Sequence, residues 1–169
     1  NAAVAAQQAA DAAWGKALSL GHGGSLVANG GFEADFTDWS NPGAATIVSA
    51  ARAGAKAAEI ADPAANWWPT SPATWVPAST GLSYYVECFM RRTACTDDLK
   101  EVGVLVQVRT TAGGTATHVA GRVKAVDLGS GWAQVAAIIT PTTADVKEAR
   151  FAPWVAAQSS TIIVDDVMA

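Results

Sequence analysis

The residues of this chain whose types could support acid–base or metal chemistry are two pairs of adjacent carboxylates, Asp97 with Asp98 and Asp165 with Asp166, and two histidines, His22 and His118. Glycoside hydrolysis needs two carboxyls about 5 to 9.5 Å apart across a bound sugar. Neighbours on a strand point to opposite faces, so neither pair suits that task, and Asp97 and Asp98 read as turn formers. His22 falls in a glycine-rich joint and His118 in a strand, neither at ligand spacing with a second His or Cys. No G-x-S-x-G, phosphate loop or H-E-x-x-H occurs. Cys88 and Cys95 would stand roughly 23 Å apart on an extended strand at ~3.3 Å per residue. A disulfide would need a turn between them, and they read as free thiols, Cys88 in the core and Cys95 in a loop.

Recognition has better material than catalysis. Trp67 and Trp68 sit together in the Pro-bounded stretch NWWPTSPATWVP, where they could form a binding platform, a lid over one end of the domain or a subunit contact. Strand alternation supplies the rest. If Val102, Val104, Val106 and Val108 face the core, Gln107 and Arg109 face away. With Tyr84, Val86, Cys88 and Met90 inside, Tyr85, Glu87, Phe89 and Arg91 lie outside; with Ala149, Phe151 and Val155 inside, Arg150 and Trp154 lie outside. The expectation is one surface carrying Tyr85, Glu87, Arg91, Gln107, Arg109, Arg150 and Trp154. The plainer alternative is a solvated sheet face with ordinary cross-strand pairs.

The elements that must position these residues are almost all strands. Residues 1–20 read as the one helix, with Ala3, Ala6, Ala10, Ala13, Ala17 and Leu20 on a heptad seam that needs a packing partner. Its two readings are a helix lying on its own domain and a self-associating stalk. Residues 21–25, GHGGS, form a flexible joint. Beyond it, in residues 26–169, the period becomes alternating. Leu26–Glu33 is expected as a first strand closing on the last, Thr161–Met168. Between them come Ile47–Ala50, Ala57–Ile60, Leu82–Thr93, Val102–Thr110, His118–Val126, Trp132–Thr140 and Val146–Val155, while three prolines keep Asn66–Pro77 a loop or an edge. Short strands with regular turn signals predict an all-β sandwich of two antiparallel sheets.

Composition narrows the partners. The chain has 169 residues, one domain's worth, with 11 basic and 15 acidic side chains and a net charge of -4, and no basic block to suit nucleic acid or anionic lipid. No apolar run approaches the ~20 residues of a membrane span. A start at Asn1 rather than Met suggests a piece of a longer protein.

The order LVANGGFE, Trp39, Gly54 to Ala57, GLSYYVECFMRR, GSGW at Gly129 to Trp132 and IIVDDV resembles carbohydrate-binding modules of families four, nine and twenty-two, jelly-roll sandwiches of the galactose-binding type. The resemblance spans about Leu26 to Met168. It implies a structural calcium between first and last strands, held by Glu33 and Asp165 with carbonyls near Gly31 and Lys56. Their duller role is as solvated strand ends or acceptors of backbone N–H groups. It also implies a sugar-binding face for the outward residues above, with Trp39 and Trp132 structural, and the three arginines suit an acidic or phosphorylated glycan. The helix AAQQAADAAWGKAL is similar to linkers in minor tail proteins of actinobacterial phages. The implied function is non-catalytic recognition of a host polysaccharide from a virion tail, with residues 1–20 joining a homotrimer. The alternatives are a structural, subunit-binding sandwich of a virion and an accessory module of a secreted polysaccharide hydrolase.

Overall fold

The computed structural model describes residues 26–27, 29–40, 43, 45–61, 63–66, 75–95, 100–157 and 160–169. The expected helix, the joint, Trp67, Trp68, Asp97 and Asp98 lie outside these.

Nine strands follow in order: β1 (Ala45–Val48), β2 (Ala57–Ala61), β3 (Val76–Pro77), β4 (Tyr84–Cys95), β5 (Glu101–Thr110), β6 (Thr115–Lys124), β7 (Ala133–Ile139), β8 (Val146–Val155) and β9 (Ser160–Met168). One sheet runs β1-β2-β9-β4-β7 and the other β3-β8-β5-β6, and every pairing is antiparallel. Most connections cross between sheets, which is the jelly-roll wiring of a two-sheet sandwich. The alternation predicts the strands well. Val146–Val155 has the bounds expected, whereas Cys95 ends β4 rather than lying in a loop, and a 3-10 turn, Ala125–Leu128, takes the place of the end of the strand expected to reach Val126. The short β3 lies at a sheet edge, where proline's missing N–H is tolerated.

The core lies between the sheets. Ile60, Val86, Cys88, Met90, Ile162 and Val164 meet Val102, Val104, Val106, Val108, Ala149 and Phe151, all essentially fully buried. Burial pushes the Cys88 thiol up, aided by the charge of Glu87, which makes it an inert core group. At Gly121, φ is 62° and an added Cβ would stand 2.7 Å from the Ala136 carbonyl, so glycine lets β6 close onto β7 of the opposite sheet.

The first segment does close against the last strand, though not as a strand. Leu26 N–H donates to the Ala169 carbonyl at 3.0 Å and Val167 N–H to the Gly30 carbonyl at 3.0 Å. Residues 29–38 are instead a run of turns, with positive φ at Asn29, Phe32, Asp35 and Asp38. Asn29 organises it. Its Nδ2 donates to the carbonyls of Asp35 (2.9 Å) and Thr37 (2.7 Å), its Oδ1 accepts from Ala34 N–H (3.1 Å), and its own carbonyl accepts the Trp39 indole N–H (2.9 Å). Asn29→Ala removes the side-chain bonds from a partly exposed site, and we expect a loss of about 1–2 kcal/mol. That corresponds to roughly 2–8 °C in a thermal melt; an unchanged melting temperature would deny Asn29 this role.

Candidate functional site

The outer face of the four-stranded sheet is built by the residues of β5 and β8 that alternate with the core valines. Cross-strand register sets Arg109 beside Glu148, Gln107 beside Arg150, Leu105 beside Ala152 and Gly103 beside Trp154. On the other flank of β5, Thr117 lies beside Gln107 and Val119 beside Leu105. The upper rows are a connected polar array. Arg150 Nε donates to Gln107 Oε1 at 2.7 Å, Gln107 Nε2 to Thr117 Oγ1 at 3.3 Å, and Arg109 Nε to Glu148 Oε2 at 2.6 Å. Against them stands Trp75, just before β3, its ring centroid 4.4 Å from the Arg150 guanidinium carbon and 4.6 Å from that of Arg109. Below, Leu105 and Ala152 are fully buried, so the solvent-facing chemistry is concentrated in the polar rows.

Gln107, Arg109 and Arg150 are therefore brought together as expected. Trp154 lies on the same face, but it is only 7% exposed and has the Arg122 guanidinium over its ring at 5.1 Å, so it is packed rather than offered as a platform. Trp75 was absent from the expected set. Its signal was available in the alternation of Trp75 and Pro77 about the inward-packing Val76, which pairs with Ala149.

Tyr85, Glu87 and Arg91 do not join this surface. They point outward as expected, but β4 belongs to the five-stranded sheet, and its outer face is the opposite side of the sandwich. There Tyr85 OH donates to Glu87 Oε2 at 2.6 Å and Gln134 Nε2 donates to the same carboxylate. Arg91 donates to the Ala50 carbonyl at 3.4 Å and lies 5.2 Å from the Trp132 ring. His118 Nε2 is 2.9 Å from Thr143 Oγ1, a structural contact.

The proposed calcium ligands Glu33 and Asp165 do converge near Gly31, where an added Cβ would lie 3.8 Å from Asp165 Oδ1 and 4.0 Å from Glu33 Cγ. Their surroundings are those of an anion cradle. Glu33 Oε1 accepts from Ala55 N–H (2.8 Å) and Lys56 N–H (3.0 Å). Asp165 Oδ2 accepts from Arg52 N–H (2.7 Å) and Ala53 N–H (3.3 Å), and its Oδ1 from Asp166 N–H (2.8 Å). Asp166 in turn takes the Arg52 guanidinium at 2.5 Å. Calcium requires 6–8 oxygen ligands, whereas here the 52–56 turn aims N–H donors at the carboxylates, that of Lys56 among them. Among the described residues no group of three His, Cys, Asp or Glu side chains is arranged to hold a metal. The set as placed does not fit the cation.

No family model and no curated protein matches the chain. Solved structures do share its fold. A family 16 carbohydrate-binding module superposes with a TM-score of 0.60 at 17% identity, over 85% of this chain and 97% of its own. A xylan-binding domain of family 22 does so with a TM-score of 0.62 at 14% identity, over 87% and 94%. The enzymatically active domain of tailspike protein 4 from bacteriophage CBA120 gives 0.56 at 11% identity, over 85% of this chain and 21% of that one.

Proposed function

We propose that this chain is a non-catalytic glycan-binding module whose ligand lies across the upper rows of the four-stranded sheet, and that it recognises host-surface polysaccharide as part of a phage tail protein. The observation that carries the binding role is the array Gln107, Arg109, Glu148 and Arg150, set side by side by register and backed by Trp75. Sugar hydroxyls are recognised by planar polar groups of this kind when they are held beforehand by neighbours, because ordering them on binding would cost affinity. The carboxylates of the face support binding over chemistry. Glu148 is engaged by Arg109 and Glu101 by Arg122, so both are already committed to cross-strand ion pairs. The xylan-binding neighbour supports a glycan ligand, and the tailspike neighbour, together with the resemblance of the N-terminal stretch, supports the phage setting.

Affinity electrophoresis in gels containing cell-wall polysaccharide tests the site. Gln107→Ala removes one planar group and unties Arg150, and binding should fall about tenfold, the equivalent of one good hydrogen bond at ~1.4 kcal/mol. Tyr85→Ala, on the far sheet, should leave binding unchanged. Sensitivity to Tyr85 with indifference to Gln107 would move the site to the other face and end this reading.

A further inference from the structure

The three arginines of the four-stranded sheet's outer face differ in how their charge is compensated. Arg109 is paired with Glu148 and Arg122 with Glu101. Arg150 has no carboxylate partner among the described residues; its Nε donates instead to the neutral Gln107 amide at 2.7 Å. It is half-buried, and its charge is disfavoured first by burial and then by the neighbouring Arg109. A guanidinium left partly desolvated beside a second cation gains when an anion arrives.

Its orientation is settled in advance. Gln107 takes the Nε edge and is itself fixed by Thr117, while the Trp75 ring lies 4.4 Å from the guanidinium carbon. A planar guanidinium anchored through Nε still carries its terminal Nη donors, the fork that meets carboxylate or phosphate oxygens two at a time. We propose that Arg150 is the anion-recognising residue of the face and that the preferred ligand is an acidic glycan, carrying a carboxylate or a phosphate on its repeat. This rests on the glycan-binding reading above and adds the class of sugar. It also gives a physical reason for one uncompensated guanidinium on this face of a chain whose net charge is -4.

The test is calorimetric titration of the full chain with three polymers: polygalacturonate for the carboxylate arm, a poly(glycerol phosphate) teichoic acid for the phosphate arm, and neutral xylan. At least one acidic polymer should bind about tenfold or more tightly than xylan, with the preference weakening as salt is raised. Arg150→Gln should erase the preference while leaving the melting temperature near that of the parent, and Arg150→Lys, which keeps the charge but loses the fork, should restore only part of it. The acidic arm that binds identifies the source of the anion. Xylan bound as tightly as both acidic polymers, or an acidic preference unchanged in Arg150→Gln, overturns the inference and leaves the glycan-binding reading standing. Binding to none of the three overturns both.

Discussion

Phe32→Ala should lower stability by about 3–5 kcal/mol, the range for emptying a buried phenylalanine site. The side chain is fully buried. Its ring stacks on Trp39 with centroids 5.1 Å apart and planes at 25°, and meets Phe36 edge-on at 6.2 Å. Trp39 cannot follow the cavity inward without losing the bond from its indole N–H to the Asn29 carbonyl, so collapse is resisted and the upper half of the range applies. The loss is not offset by backbone relief. Phe32 sits at a φ of 56°, and alanine would occupy the same left-handed region at a similar cost. Urea unfolding is the measurement: the midpoint should drop with little change in slope, and Phe32→Leu should lose roughly half as much because most of the apolar volume stays. A loss under about 1 kcal/mol would mean that the turn region 29–38 is not packed as described.

That region also marks the limit of what the sequence made legible. The fold class and most strand positions could be read because alternation is a local property: Val102, Val104, Val106 and Val108 declare the core-facing side of their strand, and Ala149 and Phe151 about Arg150 do so in the middle of Val146–Val155. Leu26–Glu33 misled for an equally local reason. Its apolar start looks extended, but left-handed turns at the non-glycine residues Asn29 and Phe32 are held by the Asn29 side chain and by packing that no periodicity announces.

The site shows a second kind of limit. Alternation says which way a side chain leaves its own strand, and it placed Gln107, Arg109, Arg150, Tyr85, Glu87 and Arg91 outward correctly. It cannot say which sheet a strand joins. That depends on register between distant segments: β4 pairs with β7 and β9, while β5 pairs with β6 and β8, so the outward residues part onto opposite sides. The Tyr85–Glu87–Gln134 contact and the Arg91–Trp132 contact then read as cross-strand support on the far face. Trp75 lies among prolines, Pro72 and Pro77, that disguise a strand in the sequence, although an edge strand of two residues is what proline permits.

Asp165→Ala is expected to cost about 3 kcal/mol, because it leaves the N–H groups of Arg52, Ala53 and Asp166 without their acceptor at a site where the carboxylate itself has no exposure. Asp165→Asn should cost less, since its Oδ1 can still serve one side of the cradle while its Nδ2 meets an N–H on the other. The dependence on pH separates this residue from its neighbour in the closure. Burial, reinforced by the charge of Asp166, outweighs the N–H bonds from Arg52, Asp166 and Ala53 and raises the Asp165 pKa above its ordinary 3.8. A raised carboxyl pKa means that the folded state holds the proton more tightly, so this group's contribution declines as pH climbs from 3.8 through the folded value and is constant above it. Glu33 has the opposite sign. The N–H groups of Lys56 and Ala55 lower its pKa below 4.5, so its contribution is complete above 4.5 and is lost as pH falls through the folded value. Melting curves between about pH 3 and pH 7 should therefore show the gap between parent and Asp165→Asn narrowing as pH rises, and the gap between parent and Glu33→Gln widening. Because both carboxylates are answered by N–H donors, millimolar calcium or a chelator should shift none of these curves. A calcium-dependent rise in the parent that Glu33→Gln abolishes would show instead that the 52–56 turn rearranges to present oxygens, and that the closure of the first segment on β9 is metal-held.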